Sequence, residues 1–313
     1  MPFIAGFGSY LPSKIVDNSQ LAEMLGCTPE WIKDSSGIEE RRYAADGESV
    51  DVLAANAGRE CLEQAGVSAE QVDLLIVSSG SSELRFPGPA SLVAKRLELR
   101  DVPALDLPIA SAGALFGMSL ASRLTAQYAT ILVIAAEKMS TVVMQEPIEK
   151  NTAILFGDGA GACLIRRDSG DLEIVDSVLH SDGSFVNDLQ LGYGRPLQMN
   201  GRSVIMQATR KIPAVILELL QRNKKTPAEI ERFIMHQANQ NLIDRAATSL
   251  DVPNDRFYSN IRNFGNTSSA SMLIAATEWW RDRGATSAGS ICFVVFGAGF
   301  HWGALLAQST TLR

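Results

Sequence analysis

Polar and apolar positions follow the same order in two distant parts of the chain. Ser68-Ala69-Glu70-Gln71-Val72-Asp73 runs into the apolar Leu74-Leu75-Ile76-Val77, and Thr226-Pro227-Ala228-Glu229-Ile230-Glu231-Arg232 runs into Phe233-Ile234-Met235. Each reads as a capped helical turn leading into a short apolar strand, the opening hydroxyl satisfying a backbone N–H of the turn. Val102-Pro103 and Val252-Pro253 then precede strands that end at special loops, one carrying Ser111 and the other Asn266. Ala129-Thr130-Ile131-Leu132-Val133-Ile134 pairs in the same way with Gly289-Ser290-Ile291-Cys292-Phe293-Val294.

The landmark pairs Val72/Ile230, Val102/Val252, Ser111/Asn266 and Ile131/Ile291 are separated by 150 to 160 residues. Shared order and spacing predict an internal duplication, with a period too long for a solenoid and suited to two fused βαβ-rich units. The division falls after the hairpin-like Phe156 to Ile165, near the polar Arg166-Arg167-Asp168-Ser169-Gly170. It gives an N-terminal half, 1–168, with Ser111, and a C-terminal half, 169–313, with His236 and Asn266. Each special loop leads into a helix with little polar face, Ala112 to Leu124 and Thr267 to Ala276, as expected of helices buried between layers. Their N-termini then direct partial positive charge into the interior, where an oxyanion could use it.

With 313 residues, 46% of them apolar, the chain can bury a substantial core. It lacks the basic start and apolar run of a secretory signal, and no stretch has eighteen uninterrupted apolar residues, so the expected location is cytoplasmic, without a membrane partner. Cys27, Cys61, Cys163 and Cys292 are dispersed and form no ligand cluster, which argues against disulfide scaffolds and metal sites and for small core residues. A formal charge of −7 argues against nucleic acid as a partner. The glycines of Phe156-Gly157-Asp158-Gly159-Ala160-Gly161 fit no nucleotide-binding motif, and a tight turn is the better reading.

Only three histidines are available for imidazole chemistry. His180 reads as a loop residue and His301, beside Trp302, as a packed strand residue. His236 follows the apolar Phe233-Ile234-Met235 and so stands at a strand end, the usual place for an α/β site, where it is either catalytic or a satisfied polar residue. Asn266 alone reads as a turn residue, but its symmetry with Ser111 draws attention to both. Ser111 alone reads as a helix N-cap, and the G-x-S-x-G pattern of α/β-hydrolases is absent. The glycine-rich Phe296-Gly297-Ala298-Gly299-Phe300 permits either close backbone approach to a ligand or a strand kink.

Taken together, His236-Gln237-Ala238-Asn239, Phe264-Gly265-Asn266-Thr267-Ser268-Ser269-Ala270-Ser271, Phe156 to Ala162 and Phe296 to Gly303 resemble the β-ketoacyl-acyl-carrier-protein synthase III family of the thiolase superfamily. The similarity covers essentially the whole chain, from Gly6-Phe7-Gly8 onward. It implies a five-layered αβαβα fold from two duplicated halves, usually a homodimer. Family enzymes load an acyl group from acyl-CoA onto a cysteine and condense it with malonyl-acyl carrier protein, His and Asn stabilising the enolate. His236 and Asn266 match those roles. The N–H groups of Ser111 and Ala298 match the oxyanion hole, Phe86 a residue crossing the dimer, Trp31 and Lys150 the CoA nucleotide site, and Asn239 and Gly201 the pantetheine arm. No metal or redox cofactor is implied; acyl-CoA is a substrate.

The resemblance breaks at Ser111, where the family has its cysteine. A helix N-terminus gives a thiol usable thiolate at neutral pH, whereas a serine needs a base, for which His236 is the candidate. An ester is also a poorer acyl donor to a carbanion than a thioester. Ser35 and Lys150 replace arginines, and Met206 and Asn241 thin the basic face expected to meet a carrier protein. The serine is either natural or an engineered replacement of the family's cysteine, and three functions stay open: a decarboxylative condensing enzyme, a serine-dependent starter-unit acyltransferase, and a silent paralogue acting as a heterodimer partner.

Overall fold

In the computed structural model, which describes residues 1–282 and 289–310, the apolar runs become ten paired strands. The first half contributes β1 (Pro2–Tyr10), β2 (Leu74–Ser78), β3 (Ala104–Leu107), β4 (Thr130–Lys138) and β5 (Asp158–Arg167). The second contributes β6 (Leu172–Ser181), β7 (Ile230–Met235), β8 (Phe257–Tyr258), β9 (Ser290–Gly297) and β10 (His301–Ser309). Their order is β8-β7-β9-β10-β6-β1-β5-β4-β2-β3. Outward from the β1/β6 seam, each strand of one half therefore meets its counterpart five strands later in the other. The seam is a short antiparallel pairing of Phe3 with Glu173 and Ile4 with Leu172.

The turns before β2 and β7 carry the same device. Ser68 with Gln71, and Thr226 with Glu229, form reciprocal capping boxes that fix where each strand begins. Both β2 and β9 are buried along their length, as strands covered by helices on two faces must be. Side-chain alternation along β2 then separates the layers. Ile76 packs with Val133, Ile234 and Phe293 around the helices α3 (Gly113–Leu124) and α6 (Ser271–Asp282), which form the central layer. Leu75 and Val77 face the other way, onto α1 (Val50–Ala65) and α2 (Pro89–Arg96). Phe233, Met235 and Val294 do the same beneath α4 (Gly201–Arg222) and α5 (Gln240–Ser249). The result is the five-layered αβαβα arrangement.

Three local expectations need correction. The glycine-rich segment from Phe156 is no hairpin or tight turn but the start of β5, and its glycines serve packing. A Cβ on Gly161 would lie 2.5 Å from Leu273 Cβ and 2.9 Å from the Ile274 amide, so small residues on β5 let α6 sit directly on the strand. His180 is on β6, not in a loop, where its Nε2 pairs with Glu218 at 2.8 Å and its ring stacks on Trp302. The second buried helix starts at Ser271 rather than Thr267, because Ser268–Ala270 forms a 3-10 turn with Ser268 at φ +47°. Cys61, Cys163 and Cys292 are buried and Cys27 is half-buried. No helix among the described residues is long and apolar enough to cross a membrane.

Replacing Gly161 by Ala should push α6 off β5 and cost about 1–3 kcal/mol of stability. Thermal denaturation of the variant should show a lowered midpoint; an unchanged one would mean the helix shifts freely.

Candidate active site

β3 ends in a tight turn, closed by the Ala112 N–H donating to Ala110 O at 2.7 Å, that places Ser111 at φ +62°. A non-glycine residue seldom adopts this left-handed conformation, and surrounding contacts must hold it there. Ser111 is therefore not a helix N-cap: Ala112 stands at the cap position of α3, with no side-chain cap bond. From the other half, the end of β9 presses against the same turn. A Cβ on Gly297 would collide with Ala110 O and lie 2.9 Å from Ser111 Cβ, so only glycine permits this approach.

His236 leaves β7 with its N–H still bonded to Val294 O at 2.8 Å, which fixes the backbone that presents the ring. Its Nδ1 lies 2.6 Å from Ser271 Oγ, and that oxygen also accepts the Gln237 N–H at 3.0 Å. The Ser271 hydroxyl can give its proton to Nδ1, an arrangement that puts the ring proton on Nε2. Burial pushes His236 down to about 4, with the Ser268 carbonyl opposing, so the ring is uncharged at neutral pH. As an uncharged Nε2–H tautomer it suits hydrogen-bond donation; acting as a base through Nε2 would require the opposite tautomer.

Asn266 is held through its backbone by Leu155 O at 2.8 Å and the Gly157 N–H at 3.1 Å. Its Oδ1 accepts the Ser268 N–H at 2.8 Å, which fixes the amide's sense and leaves the NH2 as the end able to donate. Ser111, His236 and Asn266 line one cavity of about 100 Å3. Gly201 and Asn239 join them there, and the remaining wall is largely apolar, with Phe156, Leu189, Met199 and Val204.

Other expected residues lie differently. Asn239 has both amide ends engaged, Nδ2 by Ser35 O at 2.9 Å and Oδ1 by the Asn241 N–H at 2.8 Å, so it caps α5 while lining the cavity. Gly297, not Ala298, lines the wall. Trp31 and Lys150 pair with each other at 5.2 Å outside the lining, and Phe86 is 87% exposed, away from this cavity. Among the described residues, no group of His, Cys, Asp and Glu could hold a metal ion.

Two sets of residues escaped the reading of the sequence. Ser268 Oγ accepts the Ser111 N–H at 3.1 Å and lies 3.4 Å from Ser111 Oγ, so Ser268 rather than His236 is the hydroxyl's hydrogen-bond partner. The Ser111 N–H, expected to be open to an oxyanion, is thus already engaged. Beside it, Ser269 gives its N–H and hydroxyl to Glu137 Oε1, while Ser79, Gly80 and Ser81 donate to Oε2 of the same fully buried carboxylate. Three serines within Ser268 to Ser271, at the start of an otherwise apolar segment, were the signal available.

A duplicated five-layered fold with its polar residues converging between the two halves defines a thiolase-type protein, and comparison with solved structures agrees. The structure resembles that of 3-oxoacyl-[acyl-carrier-protein] synthase III from Aquifex aeolicus VF5 (TM-score 0.94, 32% identity, 98% of this chain and 100% of that one). It is also similar to the priming β-ketosynthase of the R1128 polyketide pathway (TM-score 0.90, 29% identity, 99% and 96%). Residues 105–183 match the model of 3-oxoacyl-[acyl-carrier-protein] synthase III, and residues 220–309 that of its C-terminal part. A β-ketoacyl-[acyl-carrier-protein] synthase III of Listeria monocytogenes is 33% identical over 97% of this chain and 98% of its own. The chain belongs to the 3-oxoacyl-[acyl-carrier-protein] synthase III family.

The buried imidazole makes stability depend on acidity. Its folded value, about 4, lies below the ordinary 6.5, so the unfolded chain binds the extra proton between them. The contribution is fully present above 6.5 and is lost as the pH falls toward 4, at about 1.4 kcal/mol per unit. Urea melts from pH 4.5 to 7 should show a shallower slope for His236→Gln than for the native chain.

Proposed function

We propose that this chain condenses an acyl group taken from acyl-CoA with malonyl-acyl carrier protein, giving a 3-oxoacyl-carrier protein, with serine as the acyl acceptor. The observation that carries this reading is the convergence of Ser111, His236 and Asn266 on one largely apolar cavity. Ser111 Oγ attacks the thioester carbonyl, the C–S bond breaks, and the hydroxyl proton leaves with the CoA sulfur. Loss of carbon dioxide from the malonyl group then yields an enolate. The Nε2–H of His236 and the NH2 of Asn266 donate to its oxygen, two neutral donors in a site where a charge-stabilising hydrogen bond is strong. The carbanion attacks the Ser111 ester and releases the product. Trp31 and Lys150 would receive the nucleotide end of CoA, and Gly201 and Asn239 the arm below it. Ala298 would supply an oxyanion N–H, since that of Ser111 is given to Ser268 Oγ.

The hydroxyl nucleophile favours a second reading, starter-unit acyl transfer without condensation, because an ester donates its acyl group to a carbanion less readily than a thioester. In both readings the enzyme is a cytoplasmic homodimer of two halves, 1–168 and 169–313, in each subunit. Support for the dimer lies at β3, the end strand of the sheet, where Leu105 is 42% exposed and Phe86 stands out nearby.

Intact-protein mass measurement after incubation with acetyl-, propionyl- and longer acyl-CoAs should show an acyl adduct that Ser111→Ala abolishes. Adding malonyl-carrier protein should discharge it with release of carbon dioxide. Discharge without carbon dioxide would favour starter transfer. A native chain that stays unmodified, beside a Ser111→Cys variant that loads, would remove serine as the working nucleophile. In sedimentation velocity, the native chain should run as a dimer and Phe86→Asp should shift it toward monomer.

A further inference from the structure

Serine is the weak point of the proposed chemistry, and the structure places an unassigned hydroxyl on the weak atom. When the acyl group leaves, the C–Oγ bond breaks and its electron pair stays on Ser111 Oγ. A thiolate carries such a charge readily, while an alkoxide needs a donor beside it. Ser268 Oγ is the group at hand. It accepts the Ser111 N–H at 3.1 Å and lies 3.4 Å from Ser111 Oγ.

The donor direction follows from where protons can go. Ser268 is buried, 2% exposed, and its hydroxyl has hydrogen bonds only to these two Ser111 atoms among those of the described residues. Since its oxygen already accepts from the Ser111 amide, its proton turns to Ser111 Oγ, and the Ser111 proton turns toward the cavity. At 3.4 Å this bond is long for two neutral hydroxyls. It shortens and strengthens when Oγ becomes negative, so it contributes most where catalysis requires it. The conformation is also built: Ser268 sits at φ +47°, its N–H is held by Asn266 Oδ1, and the next residue is tied to Glu137 through both N–H and hydroxyl.

We propose that Ser268 is a catalytic residue whose hydroxyl donates to Ser111 Oγ, stabilising the alkoxide as the acyl group enters and leaves. The idea rests on the reading of Ser111 as acyl acceptor. During loading, the Oγ–C bond forms, the C–S bond breaks and the Ser111 proton goes to the departing sulfur. During release, the C–Oγ bond breaks, the pair remains on Oγ, and Ser268 holds it until a solvent proton neutralises it.

The test compares the native chain with Ser268→Ala and Ser268→Gly, following acetylation of Ser111 by p-nitrophenyl acetate and by acetyl-CoA, then discharge of the acetyl group, by intact mass. Glycine accepts φ +47° without strain, so agreement between the variants isolates the hydroxyl, and their thermal midpoints check the fold. Loading and discharge should each slow by about 10- to 100-fold, the size of one hydrogen bond to a charged oxygen. In a Ser111→Cys background the same changes should matter far less, because a thiolate needs no such donor. Loading by p-nitrophenyl acetate but not acetyl-CoA would overturn the proposed function and leave Ser268's role standing. Native-like or faster rates in the variants, no labelling of native Ser111 by either reagent, or an equal loss in the cysteine background would overturn the role of Ser268.

Discussion

The site depends on one buried carboxylate. Glu137, on β4, receives donors from Ser79, Gly80 and Ser81 after β2, and from Ser269 in the turn before α6. These donors come from both halves of the duplicated fold, so a single anion joins the two loops that must meet for a shared site to exist. A carboxylate without exposure is tolerable because these donors are aimed at it. Removing the acid would leave those donors buried without an acceptor, which costs more than never having had them. The 3-10 turn of Ser268–Ala270, and with it the amide of Asn266, is positioned through this contact.

Backbone strain and close packing complete the arrangement. Ser111 and Ser268 both occupy positive φ, a conformation that costs a non-glycine residue energy and persists only where contacts over-determine it. Here the two strained residues hold each other, amide to hydroxyl. Gly297 closes the third side, lacking the side chain that would push β9 away from the Ser111 turn. Nucleophile, donors and strand end are therefore fixed by the meeting of two halves, and neither half alone contains the site.

Much of this was legible in the residues, for identifiable reasons. The duplication showed itself because each half repeats its capping box, Ser68 with Gln71 and Thr226 with Glu229, before an apolar strand. Spacing then carried Ser111, His236 and Asn266 into correspondence. Long-range polar contacts were illegible: Glu137 sits in the ordinary-looking run Ala135-Ala136-Glu137-Lys138, and its partner Ser269 is 132 residues away. The glycines of β5 misled because a strand packed under a helix and a tight turn both call for glycine, and only the position of α6 distinguishes them. His180 misled because its polar neighbours suggested a loop, whereas pairing with Glu218 and stacking on Trp302 satisfy it on a strand.

The same burial that makes the site hard to read gives its histidine a definite character. An imidazole displaced to about 4 is neutral wherever the enzyme would work, and a proton given by Ser271 to Nδ1 supports its donor form. A neutral donor stabilises an enolate without being attracted to the carboxylate that must first depart as carbon dioxide, whereas an imidazolium would also stabilise the malonyl carboxylate and so favour the ground state. The largely apolar wall around Phe156, Leu189 and Met199 acts in the same direction, since a carboxylate in poor solvation is raised in energy while the charge that replaces it is spread over an enolate. Under the proposed function, desolvation and a weakly basic donor thus act together on decarboxylation. Stabilisation of the serine oxygen must then come from elsewhere, the role proposed for Ser268, whose Oγ lies 3.4 Å from that of Ser111.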